Sequence, residues 1–229
     1  MKLDKRKNYY LILDTETCPK MPLDEVKPFN MLVYDIGWQV ADIKGNVYVK
    51  RSFIVDEIFY GEREKMKSAY YYNKIAQYEE DIKNGLRIVA PFKAIQKYLE
   101  ADIETYHVCA ISAHNARFDY WSLNSTKWWL SDDRTDFYPL GVKLYDTLSM
   151  ARDTICQYKT YDYYTPNGDR KSATAENLYK YITHNTEFIE SHTALEDVEI
   201  ETEILIRCLK SHRKMRKEYQ PKTGNRARQ

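Results

Sequence analysis

Glycine and proline are scarce in this chain, seven of each in 229 residues. That excludes collagen-like repeats, proline-rich linkers and glycine-rich low-complexity tracts, and it leaves few ready-made turn residues. Cysteine is limited to four, Cys18, Cys109, Cys156 and Cys208. None forms a CxxC pair, which argues against a zinc knuckle and a dense disulfide framework and fits a reducing, cytoplasmic setting. Neither sign of charge is in excess, with 35 lysines and arginines against 34 acids. Overall charge therefore points to no polyanionic partner, and any such signal must be local. No segment approaches ~20 uncharged apolar residues, so no membrane span is expected, and the apolar run before Asp14 is too short for a signal peptide. Nothing fixes an oligomeric state.

What is present is an ordered succession of short elements in a length that suits one domain. Tyr9 to Leu13, Leu32 to Val40 and Val47 to Val55 are rich in β-formers, and the last two are joined by the turn sequence Asp42-Ile43-Lys44-Gly45-Asn46. From about 58 to 104 the composition turns to Lys, Glu and Tyr, with breaks at Asn84-Gly85 and Pro91, which predicts two helices. Strands are expected again at His107 to Ser112 and Val142 to Tyr145, and helices at Asn115 to Leu130, from Thr147, at Ala173 to Ile182 and at Thr193 to His212. Gln157 to Ser172, which contains Pro166-Asn167-Gly168-Asp169, is expected to be a loop. Strands that first form a meander and then alternate with helices imply an α/β fold with a mixed five-stranded sheet flanked by helices.

Four carboxylates stand out by their settings. Asp14 and Glu16 are two apart at the end of the first strand, so their side chains share a face. A like-charged pair so placed is costly at pH 7 unless a proton or cation offsets it, and a divalent metal with oxygen ligands is the usual remedy. With Asn115 as N-cap, Asp119 is the fourth residue of its helix; a carboxylate there also simply complements the helix dipole. Thr193-x-x-Glu196 is a capping-box pattern, which makes Asp197 again the fourth helical residue and puts His192 just outside the helix, in staple contact with it. Each motif alone has an ordinary solvated reading. Three in order, each at a strand end or helix start, place acids where α/β sheets present ligands.

These residues resemble the three exonuclease motifs of the DnaQ-like, or DEDDh, superfamily: Leu13-Asp14-Thr15-Glu16-Thr17, Ala113-His114-Asn115-Ala116-Arg117-Phe118-Asp119 and His192-Thr193-Ala194-Leu195-Glu196-Asp197. Tyr34-Asp35-Ile36-Gly37-Trp38 and Tyr145-Asp146-Thr147-Leu148 are similar to the family's second strand and to the strand and helix after its second motif. The likeness implies a ribonuclease H-like fold over residues 1–209, with a helical insertion at about 58–104 and a basic tail at 210–229. It implies a metal-dependent 3′→5′ exonuclease that releases nucleoside 5′-monophosphates from single-stranded DNA. Two divalent cations, Mg²⁺ or Mn²⁺, would be held by Asp14, Glu16, Asp119 and Asp197. Asp14 would bridge both, Glu16 and Asp197 would share the one that carries the nucleophilic water, and Asp119 would act through water on the other. His192 is the implied general base, and Thr15, Asn115 and Phe118 the implied substrate contacts. In the tyrosine-type branch a tyrosine stands four before the last aspartate, where this chain has Thr193. A longer stretch at Cys18-Pro19-Lys20 replaces the family's frequent glycine turn. That departure and the insertion bear on substrate choice more than on chemistry.

Other signals are weaker. His107, His114, His184 and His212 read as structural. The 21 tyrosines and the tryptophans invite a base-stacking reading, yet even Phe118 and Tyr120, beside a motif, suit packing equally. The tail from Lys210 holds eight cations against Glu218 alone and reads either as a phosphate-attracting arm or as a solvated end. Rival readings are an RNA or oligoribonucleotide exonuclease with the same catalytic set, and a non-catalytic nucleic-acid-binding or polymerase-accessory module. Retention of all four acids and the histidine argues against the last. A DNA polymerase stays open as a partner, as do the 3′ ends of single-stranded DNA or RNA.

Overall fold

The computed structural model describes residues 3–4, 6–21 and 27–221. Six strands form one sheet in the order β4-β3-β2-β1-β5-β6: β1 (Tyr9–Pro19), β2 (Met31–Asp42), β3 (Val47–Val55), β4 (Ile88–Ala90), β5 (Ala110–Ala113) and β6 (Lys143–Asp146). The first three are an antiparallel meander, and β4, β5 and β6 join in parallel through helical connections. Mixed pairing is thus as expected; the sheet gains a sixth strand in β4, three residues between Gly85 and Pro91 too short to show any alternation. The insertion is correspondingly more broken than two helices. It runs through α1 (Asp56–Phe59), α2 (Arg63–Met66), a 3₁₀ turn, α3 (Ile75–Lys83) and β4 before α4 (Phe92–Tyr106).

Every residue of β2 is buried, because helices cover the sheet on both faces. Leu11, Leu13, Leu32, Val33 and Trp38 face a core closed by α4, α5 (Ala116–Leu130) and the insertion. Tyr10 and Ile12, the alternate residues of β1, face a second core built with α6 (Thr147–Asp153), α7 (Ala175–Thr183) and α8 (Ala194–Lys210). Asp14 and Glu16 continue that even-numbered row and so point to the α8 side, while Thr15 points to the α5 side. The strand does not end at these acids, as its sequence suggests, but runs on to Pro19 against β2, with a register shift just after Glu16. What ends is the other neighbour: β5 pairs only with Tyr10, Leu11 and Ile12, leaving the acids beyond its last rung.

Residues 216–219 are not a free tail. Asp146 N–H donates to the Lys217 carbonyl and Tyr219 N–H to the Leu144 carbonyl, both at 2.8 Å, so the segment lies along β6. Arg216 pairs with Asp153 at 2.8 Å and Glu218 with Lys143 at 2.8 Å. The compact unit therefore extends past the expected boundary at 209, and the cations Lys222, Arg226 and Arg228 lie outside the described residues.

One close approach fixes where α8 begins. A Cβ on Gly37, the β2 partner of Asp14, would lie 2.5 Å from Leu195 N and 2.7 Å from the Ala194 carbonyl carbon. Only glycine lets the first turn of α8 settle on the strand, and that turn carries Asp197. Gly37→Ala is expected to cost about 1–3 kcal/mol of stability, since backbone rather than a side-chain tip must give way. Denaturant melts check this, and a variant as stable as wild type removes the packing argument.

Candidate active site

Asp14 and Glu16 from β1 and Asp197 from the first turn of α8 bring carboxylate oxygens within 4.8 Å of one another. Asp119 reaches the same cavity from α5 on the other side of the sheet, and its Oδ1 accepts from the Thr15 hydroxyl at 2.8 Å. Thr15 thereby positions an acid as well as lining the cavity. Asn115, Phe118 and His192 also line it, within a volume of about 480 Å³. All eight residues singled out in the sequence converge there.

The helix starts are made differently from the sequence expectation. Asn115 occupies the N-cap of α5, but with φ 64° and ψ 51°, and its side chain caps nothing. Asp146 accepts from Ala116 N–H at 3.2 Å in its place. At α8, the Thr193 hydroxyl bonds to Glu196 rather than to helix backbone. The capping acceptor is Asp35, opposite Glu16 in the sheet, which takes Ala194 N–H at 3.2 Å. The same Asp35 oxygen accepts from Tyr78 at 2.7 Å and from Arg87 at 3.3 Å, and Arg87 also bonds Asp81 at 3.0 Å. This buried network ties the insertion to the start of α8.

His192 sits at the rim with φ 51°. Its ring stacks on Tyr71 with centroids 4.5 Å apart, and Lys74 Nζ donates to its carbonyl at 3.4 Å. His192, on non-helical backbone, is thus held by two residues of the insertion, its ring by Tyr71 and its main chain by Lys74. Partial burial first, and then the charge of Lys74, push its pKa below the usual histidine value, with Glu176 opposing. Its Nδ1 lies 3.8 Å from Glu190 Oε2.

Two acids here were not foreseen. Glu190 stands with His192 and Asp197 in a second set of possible ligand atoms within 4.8 Å. Glu201, buried on α8, accepts from His114 N–H at 3.1 Å. It follows Asp197 by four residues, one helical turn, and that spacing is a usable signal; Glu190 has none. His114 itself is structural as expected, its ring bonded to Thr147 at 3.1 Å and to the Ala173 carbonyl at 2.8 Å.

Burial and mutual repulsion push these carboxyls up. Glu16 rises to about 9, through burial and then the nearby charges of Asp35 and Asp197. Asp197 rises to about 8, chiefly through burial and Glu190, against the His192 backbone amide. Burial lifts Asp119 to about 7 despite the Thr15 bond. Burial first, and then repulsion that for both includes Asp119 and Asp197, holds Asp14 and Glu201 well above the ordinary range.

A divalent cation fits this donor set. Asp197 Oδ1 is buried without a hydrogen-bond partner, and three converging carboxylates are hard oxygen donors of the kind Mg²⁺ and Mn²⁺ take. Asp119 joins neither close set, in keeping with a more distant part.

The raised values make a stability prediction. Acids with a higher pKa folded than unfolded hold more protons in the native state, so metal-free stability is greatest below about pH 4 to 5 on this account. It falls as pH rises toward about 9, by up to about 1.4 kcal/mol per pH unit for each proton retained. Thermal melts in chelator should show melting temperature falling from pH 5 to 9, and Mg²⁺ should flatten that trend. A slope unchanged by Glu16→Gln would sink this account.

No protein-family model matches the sequence, and no curated protein matches it. Solved structures do. The nuclease domain of 3′hExo, a DEDDh family member bound to rAMP, has a TM-score of 0.59 at 11% identity, covering 95% of this chain and 100% of that one. The E. coli ExoI–ssDNA complex in its zinc-bound form gives 0.56 at 16% identity, over 89% of this chain and 40% of that one. Cell-death related nuclease 4 gives 0.54 at 11%, over 92% and 66%. Sheet order, helix placement and these superpositions together show that the chain has the ribonuclease H-like fold of these nuclease structures.

Proposed function

We propose that this chain is a metal-dependent 3′→5′ exonuclease that removes nucleoside 5′-monophosphates from single-stranded DNA. The observation that carries the reading is the meeting of Asp14, Glu16 and Asp197 oxygens within 4.8 Å, with His192 beside them and Asp119 anchored by Thr15 in the same open cavity. Two cations bound there would supply phosphate charge neutralisation, a more acidic attacking water and stabilisation of the leaving 3′ oxygen. Asp14, Glu16 and Asp197 would hold them directly and Asp119 through water.

His192 does the proton work in this reading. Its depressed pKa keeps the ring neutral at neutral pH, so it can accept the proton of the attacking water. Tyr71 fixes the ring plane, which limits the orientations it must search. Asn115 and Phe118, on the lip of the cavity, are placed to touch the terminal nucleotide.

RNA is the second reading, favoured by one observation: the neighbour matched over its full length is a nuclease domain bound to rAMP. Sugar discrimination depends on contacts to the 2′-hydroxyl. A four-free-thiol chain also suits a reducing, cytoplasmic site of action.

A 5′-labelled single strand should shorten stepwise with Mg²⁺ or Mn²⁺, and matched DNA and RNA strands rank the two readings. Cleavage of a circular strand as fast as a linear one would falsify the exonuclease assignment. Asp14→Asn should abolish turnover, and wild-type rates in it at saturating Mg²⁺ would end the metal-site proposal.

His192→Ala should lower kcat roughly 10²- to 10⁴-fold with little change in metal affinity measured calorimetrically. The wild-type rate should rise with pH through a value below the usual histidine pKa and then level. An unchanged profile in His192→Ala assigns the base role elsewhere.

A further inference from the structure

Part of the cavity lining is basic rather than acidic. Arg152 from α6 and Arg170 and Lys171 from the loop before α7 border the active-site cavity. The same three residues, with Cys156 and Gln157, line an adjoining cavity of about 440 Å³. The two spaces therefore share a cationic wall.

Among the described residues these cations have no carboxylate ion pair. Asp153, next to Arg152, is engaged by Arg216 at 2.8 Å. Asp169, next to Arg170, accepts from the Thr165 hydroxyl at 2.5 Å. Lys171 Nζ donates to the Tyr158 carbonyl at 2.8 Å. The loop that carries Arg170 and Lys171 is itself braced: Thr165 N–H donates to the Arg170 carbonyl at 2.9 Å, Ser172 N–H to the Tyr163 carbonyl at 2.9 Å, and the buried Tyr161 hydroxyl to the Ser172 carbonyl at 2.6 Å. Three like charges gathered at a concave place repel one another unless an anion joins them, and guanidinium groups suit phosphate oxygens in particular.

The chemistry of a 3′ end says which phosphates these are. A terminal nucleoside with a free 3′-hydroxyl carries no phosphate beyond the scissile one, so every further phosphate of the strand lies on the 5′ side. We propose that Arg152, Arg170 and Lys171 form a subsite for the internucleotide phosphates immediately 5′ of the scissile bond, which holds the strand while its last linkage reaches the carboxylates. The subsite rests on the exonuclease reading above. It makes the protein favour strands over isolated diesters by charge, without base contacts.

The test compares a single-stranded oligonucleotide with the p-nitrophenyl ester of thymidine 5′-monophosphate, which has one diester and no other phosphate. For Arg152→Ala/Arg170→Ala/Lys171→Ala, kcat/KM on the oligonucleotide should fall at least about tenfold more than on the nitrophenyl ester. The salt dependence of oligonucleotide binding should flatten by about 0.7 in log–log slope for each phosphate that the variant no longer neutralises. Arg152→Lys/Arg170→Lys should recover most of the loss. A strand with neutral methylphosphonates at the two linkages 5′ of the scissile bond should lose as much on wild type, and lose little more on the triple variant. Equal losses on both substrates, or fully additive effects of protein and strand changes, overturn the subsite. Inorganic phosphate that competes equally against both substrates would place the anion site at the reaction centre instead, and also overturn it. Wild-type protein that hydrolyses neither substrate with Mg²⁺ or Mn²⁺ would instead remove the nuclease reading.

Discussion

Repulsion among carboxyl groups gathered at the middle of β1 is the constraint to which the rest of the molecule answers. Asp14, Glu16, Asp119, Glu190, Asp197 and Glu201 all border one cavity, and in the absence of a cation burial holds several of them partly protonated. A fold cannot leave such a group at an edge free to splay, because relaxation would destroy the geometry that makes it useful. The strand is therefore central, paired on both sides up to Ile12 and on one side beyond. Helices α5 and α8 each aim an N-terminus at the cluster and carry an acid in the first turn, so their positive ends offset part of the charge. What the dipoles leave is negative charge that a divalent cation would offset.

The insertion serves the same constraint from the outside. Its Arg87 and Tyr78 bond one oxygen of Asp35, and the same oxygen caps α8, so the acid next to Glu16 is tied to the insertion through that atom. Its Tyr71 and Lys74 hold His192. An imidazole on a residue with positive φ has no helical neighbour to set its direction, and the stacked ring supplies one. The segment that sequence composition marks only as charged and tyrosine-rich is thus a brace for both Asp197 and His192.

Legibility in the sequence followed locality. Asp14 with Glu16, Asp119 and Asp197 could be read because strand alternation and the fourth helical position are fixed within a few residues. Tyr71, Lys74 and Glu190 could not, since only tertiary folding brings them to His192. The caps show the same limit: the residue types at Asn115 and Thr193 announce helix starts correctly, yet Asp146 and Asp35, distant in sequence, accept the amide protons. Scarcity of glycine hid another feature. His107, His184, His192 and His212 all have φ near 50°, and the first two end helices where glycine is the common choice. Four of the five histidines are thus used for backbone geometry, and composition alone could not separate the one that also faces the site.

A net charge of +1 conceals how strongly the signs are separated. Acids line one part of the cavity, and Arg152, Arg170 and Lys171 another, with few local partners for the cations. A polyanionic strand approaching the acids alone would be repelled, and one bound by the cations alone would present no bond to be cut. Under the proposed function, segregation would resolve the conflict in space: the wall would attract phosphates that are not to be hydrolysed, and the carboxylates would be left to the one that is. Because the wall needs no metal to be positive, strand capture and metal loading are separable events in this arrangement. On the proposed exonuclease reading, the linkage next to the free 3′-hydroxyl would be the one phosphate that must approach the carboxylates with a cation already between them.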